Sequence, residues 1–198
     1  IMVEKLYRAV ASRYGIETIL DTPNVSFYAI ASGKAILEQE QILNQALHEI
    51  VVKNTDSKVF AFYVDNSTFK TPTENLFFAL GIRKNMLPKT LEHIPLLTEM
   101  IVLHELAHLI EQQNLGGQLE IELNDCDKAI GLKIETRAAS TQEDLTHNNQ
   151  FGAILSNLIR RQNQSNPQNS LRAAMSKTLQ DIEDAILNGE IDESFYQC

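Results

Sequence analysis

No stretch of this chain is apolar for long enough to cross a bilayer. The longest hydrophobic run, Leu96 to Ile110, is broken by Glu99, His104 and Glu105. Positive charge is scarce and scattered. Lys and Arg number 17 against 26 Asp and Glu, the net charge is −9, and no basic cluster exceeds Arg160-Arg161. That argues against nucleic acid as the main partner, because phosphate binding needs a concentrated positive surface. Cysteine occurs only at 126 and 198, too few for a disulfide scaffold, so a reduced, cytoplasmic setting is the default expectation. Asp125 and Asp127 flank Cys126 and would raise its thiol pKa, which argues against a catalytic thiolate. The N-terminus lacks a signal-peptide apolar core. Ile1 precedes Met2, however, so secretion or a missing N-terminal segment is carried as the alternative.

What is present suffices for one good core. Over 198 residues, 43% are hydrophobic. Residues 3–14 have the spacing of an amphipathic helix closed by Gly15. Val25 to Ala31 reads as a strand, Ser32-Gly33-Lys34 as a turn and Ala35-Ile36-Leu37 as a returning strand. Helical spacing follows over 38–52, and a strand over 58–64. Residues 71–95 are mixed, with Leu76 to Leu80 short and apolar and Pro88 and Pro95 as breakers. Pro95 opens a helix running to about Asn114 and stopped by Gly116-Gly117. Asp127 is placed to cap a helix over 128–143, another helix covers 148–162, and a last one follows Ser170 with Leu171, Met175, Leu179, Ile182 and Ile186 on one face. The expectation is an α+β fold in which a small N-terminal sheet packs on a central helix and a helical C-terminal part follows. Residues 1–162 form the main domain and 163–198 an extension.

The central helix carries His104-Glu105-Leu106-Ala107-His108, the H-E-x-x-H pattern. Two histidines four apart share one helix face, so both imidazoles can meet one metal ion. Glu105, beside the first, is then placed to take a proton from a bound water and pass it to a leaving amine. Zn2+ fits best, since neutral imidazole suits it and three protein ligands leave one corner open. A carboxylate in so apolar a helix is also costly unless something compensates it.

The third ligand is less plain. Glu111 and Asn114 stand where a metzincin has glycine and histidine, which excludes that class. The candidates are Glu111, Glu120, Glu122, Asp125, Asp127, Glu135 and His147. Glu111, one turn past His108, suits support of a histidine, or solvent, better than ligation. Glu135 is favoured, because it follows Ile130, Leu132 and Ile134 on the next helix, with Ala138 and Ala139 small enough for close packing on the metal helix. His147 is the rival, or else a group that stabilises the transition state. Arg137 and Tyr63 are further, weaker candidates for the oxyanion.

His104 to His108 followed by Glu135-Thr136-Arg137-Ala138 resembles the H-E-L-A-H…E-x-x-A layout of the ImmA and IrrE metallopeptidases, and more loosely of other gluzincins. The resemblance covers residues 96–140. It implies a zincin fold, zinc on His104, His108 and Glu135, Glu105 as general base, and a peptide or protein substrate. The other readings carried are a catalytically silent zincin-like binding or effector module, and a zinc hydrolase acting on a non-peptide amide.

Overall fold

A computed structural model describes residues 2–55, 59–66, 76–113, 121–140 and 146–165, with the backbone alone at 137–140. By internal contacts the chain forms two compact units, Ile1–Ile94 and Pro95–Cys198. The fold is α+β, with a mixed sheet of four strands and five α-helices among the described residues. Among the described residues no helix is long and apolar enough to cross a membrane. The expected last helix, and nearly all of the expected extension 163–198, lie outside the described residues.

In the first unit, α1 (Met2–Arg13) precedes the hairpin of β1 (Val25–Ala31) and β2 (Lys34–Leu37); α2 (Gln45–Asn54), β3 (Ala61–Asp65) and β4 (Phe78–Arg83) follow. The strand order is β2-β1-β4-β3, with β1 and β4 parallel and both outer pairs antiparallel. The two central strands are buried almost end to end, as strands covered on both faces should be. Alternation along β1 sends Phe27 against Tyr7 of α1, and Tyr28 into a cluster with Leu47 and Val51 of α2. The hairpin turns at Ser32 and Gly33, both at positive φ (52° and 73°), as a two-residue turn matched to strand twist demands.

Two expectations shift here. Helix α2 begins seven residues later than 38, because the intervening side chains are engaged elsewhere. The Glu38 carboxylate accepts the Val3 N–H at the start of α1 (2.8 Å), the Gln39 amide oxygen accepts the Phe27 N–H (3.1 Å), and Asn44 then caps α2 through the Leu47 N–H (2.9 Å). The last three residues of the apolar run at 76–80 open β4, which continues through Gly81. A methyl group there would run into the Phe62 ring. The Gly81 carbonyl accepts the Tyr7 hydroxyl at 2.9 Å.

The second unit is helical: α3 (Leu96–Gln112), α4 (Asp125–Ser140) and α5 (Asn149–Ser165). Pro95 occupies the N-cap of α3, where its missing N–H costs nothing, and every residue from Thr98 to Ile110 is buried. Helix α4 starts three residues before the expected 128. Its cap is Asn124, whose side chain accepts the Asp127 N–H (2.8 Å) while the Asp127 carboxylate accepts the Asn124 N–H (3.2 Å), a reciprocal capping box.

Asp127 also anchors α5. Fully buried, it accepts from Arg160 (2.9 and 3.3 Å), Ser156 (3.1 Å) and Asn157 (3.3 Å). Burial alone would raise its carboxyl, but the hydrogen bonds from Arg160, Asn124 and Ser156, and the guanidinium charge, outweigh this and hold it below the usual carboxylate range.

The close helix pair of this unit is α4 with α5. A Cβ on Gly152 would lie 2.9 Å from the Gly131 Cα and 2.9 Å from the Ile134 side chain, so two glycines permit the approach. Helix α5 packs on α3 as well as on α4, and it is the common neighbour of both. The expectation that small residues would bring α4 against the metal helix is corrected accordingly. Cys126, in the first turn of α4, is disulfide-bonded, which corrects the free thiol expected of a reduced chain.

Candidate metal centre

His104 and His108 lie one turn apart on α3, 2% and 7% exposed, with Glu105 3% exposed beside them. Their Nε2 atoms are 3.2 Å apart. His147, half-buried in the turn before α5, completes the group, with its Nε2 3.0 Å from that of His104 and 3.2 Å from that of His108. Among the described residues these three form a cluster able to hold a metal ion.

Hydrogen bonding cannot satisfy such a triangle. Each Nε2 carries either one proton or one lone pair, and every edge needs a donor facing an acceptor. Three corners cannot alternate between two roles, so at least one edge always joins like groups. A single cation removes the conflict by accepting all three lone pairs. The size agrees as well: Zn–N bonds of about 2.0–2.1 Å at tetrahedral angles separate the nitrogens by about 3.4 Å. Burial holds the His104 pKa well below its ordinary value, and His108 and His147 push it further the same way. At neutral pH that ring is therefore uncharged and its lone pair is available, which metal ligation requires.

Phe151 holds the three rings together. Its ring stacks on His108 at 4.0 Å and 11°, and meets His104 and His147 nearly edge-on at 5.0 and 5.1 Å. Sequence reading missed this residue. Its one signal is its place four residues after His147, at helical spacing. Among the described residues the buried Nδ1 atom of His104 has no hydrogen-bond partner, so its ring is oriented by Phe151 and by helix packing, where a metal-bound imidazole usually has a carbonyl or carboxylate behind it.

The remaining candidates lie elsewhere. Glu135, favoured from sequence as the third ligand, is outside the cluster, and its Oε2 accepts the Asn149 N–H at 2.8 Å. The physical reason is the helix arrangement: α4 pairs with α5, so Glu135 meets the first turn of α5. Glu111 accepts the Asn148 side-chain amide through Oε1 at 2.9 Å. Asp127 is consumed by its capping box and Arg160, and Asp125 opens α4 without joining the cluster. At Glu122 it is the backbone carbonyl that is used, by Asn157 (2.9 Å). Glu120 and the Arg137 side chain lie outside the described residues. Of the other oxyanion candidates, Tyr63 donates its hydroxyl to Asp65 at 2.7 Å.

Three convergent imidazoles beside a buried glutamate can bind a divalent cation and keep a corner open for a fourth ligand. No known protein family, curated protein or solved structure matches this chain, so that chemistry is read from the residues themselves.

Proposed function

We propose that this protein is a zinc-dependent hydrolase of peptide bonds, of the zincin type, with His104, His108 and His147 as the ligands and Glu105 as the general base. The observation that carries the reading is the convergence of three Nε2 atoms within 3.2 Å of one another, two of them from an H-E-x-x-H helix. His147 replaces Glu135 as third ligand in this reading. The set becomes three imidazoles, and the likeness to gluzincins is confined to the helix motif.

Zinc, when bound, would polarise a carbonyl and acidify its water. The chain's own groups do the rest. The His104 imidazole stays neutral because protonating it in so buried a position, beside two other imidazoles, is costly. Glu105 accepts the water proton and returns it to the departing amine, so it starts and ends the cycle ionised. Phe151 keeps the rings aligned and water out of the space behind them. The substrate is assigned as peptide on the H-E-x-x-H motif.

Glu105→Gln is the direct test. It keeps size and polarity but removes the proton acceptor, so zinc stoichiometry stays at one while turnover of a peptide library falls by about 10²–10⁴-fold. Undiminished chelator-sensitive hydrolysis by that variant would refute the role of Glu105, and a wild-type chain free of zinc at saturating metal would refute the site.

A further inference from the structure

We infer that Glu135 and Glu111 are positioning residues that set the third corner of the histidine cluster by gripping the two residues after His147. The inference rests on the reading of His104, His108 and His147 as a metal site. Two of the three imidazoles need no such help, because one helical turn fixes their spacing. His147 has no such frame. It stands in a turn, and a ligand there is only as well placed as the backbone that carries it.

That backbone is gripped from two sides. From α3, one turn beyond His108, the Glu111 carboxylate takes the side-chain amide of Asn148 (2.9 Å), whose oxygen in turn caps α5 at the Phe151 N–H (2.9 Å). From α4, the Glu135 carboxylate takes the N–H of Asn149 (2.8 Å). Both contacts are charge-assisted, and the second also sets a negative charge at the positive end of the α5 dipole. Two of the acids weighed as ligands thus spend oxygens on the residues next to His147. One side chain, Asn148, joins the helix bearing His108 to the helix bearing Phe151, with His147 adjacent in sequence.

The test is a cobalt(II) titration of the full chain, read by visible absorption, for wild type, Glu135→Ala, Glu135→Gln, His147→Ala and the Glu135→Ala/His147→Ala double variant. Second-layer partners of metal ligands typically govern about 10–100-fold in affinity, so Glu135→Ala should weaken cobalt binding by that factor and move the spectrum toward that of His147→Ala. Glu135→Gln, whose amide oxygen can still accept the Asn149 N–H, should bind like wild type. Adding Glu135→Ala to His147→Ala should cost nothing more, since the ligand it positions is gone. Glu111→Ala should behave as Glu135→Ala, with Glu111→Gln restoring.

A glutamine variant as weak as the alanine one would mean that Glu135 is itself a ligand. Equal losses in both backgrounds would mean a merely structural role. Either result overturns the inference while leaving the metal site standing. A wild-type chain with no cobalt spectrum would remove both. If Glu135→Ala fails to fold, the glutamine comparison still decides.

Discussion

Replacing Phe151 with alanine perturbs the stability of the second unit and the geometry of the cluster together, and the two effects separate in one assay. The ring is 1% exposed and lies against all three imidazoles. Truncating a buried phenylalanine costs about 3–5 kcal/mol, from lost transfer energy and from the cavity left behind. Leucine at the same position refills most of that volume and should cost about 1.5 kcal/mol or less. Under the proposed function, zinc adds its own increment. At a free concentration one hundred times the dissociation constant it stabilises the native chain by about 2.7 kcal/mol. If loss of the ring lets the imidazoles tilt and raises that constant tenfold, the same zinc concentration yields RT ln 11, about 1.4 kcal/mol; a hundredfold loss leaves about 0.4 kcal/mol. Urea unfolding of wild type, Phe151→Leu and Phe151→Ala, each with zinc and with chelator, measures both quantities. A cost below about 1 kcal/mol for Phe151→Ala, with an undiminished zinc increment, would refute the view that this ring buttresses the site.

Asp127→Ala strips Arg160, Ser156 and Asn157 of a shared buried acceptor, and should cost about 3–5 kcal/mol by urea unfolding, while Asp127→Asn keeps part of the network and costs less. Its folded pKa lies below the ordinary 3.8, so the stability it contributes is complete above that value and drains away as pH falls beneath it; an acid titration of stability should lose that step in Asp127→Asn. His104 acts at higher pH. Its folded pKa is below the ordinary 6.5, so the unfolded chain takes up the proton more readily, and the metal-free protein should lose stability as pH drops below about 6.5, a slope that His104→Gln removes. Gly152→Ala places a methyl 2.9 Å from the Gly131 Cα and should force α4 and α5 apart, lowering the urea midpoint by the equivalent of about 1–3 kcal/mol.

Much of this was legible in the residues, and what was not has a common physical cause. The extent of α3, the hairpin at Ser32-Gly33 and the role of Pro95 follow from local rules, because turn conformation, capping and helical period are set by a few neighbouring side chains. The pairing of His104 with His108 is of the same kind. Strand β4 escaped notice because its period is hidden by burial on both faces and interrupted by Gly81, whose reason for being glycine is a Phe62 ring nineteen residues away in the chain. The third corner of the cluster escaped for a similar reason. Which of Glu135 and His147 reaches the other histidines depends on whether α4 or α5 lies nearer α3. Gly131 and Gly152 let α4 and α5 close on each other while α5 also packs on α3, an arrangement that no helical or strand period announces.

Bridging His147 to His104 and His108 would tie together positions 43 and 39 residues apart along the polymer. A cation seated there therefore works as a reversible crosslink, shrinking the freedom of the denatured chain as a covalent staple does. Scarcity of that cation would then loosen the scaffold and, under the proposed function, silence hydrolysis in a single event, making metal supply a determinant of how long each copy survives proteolysis.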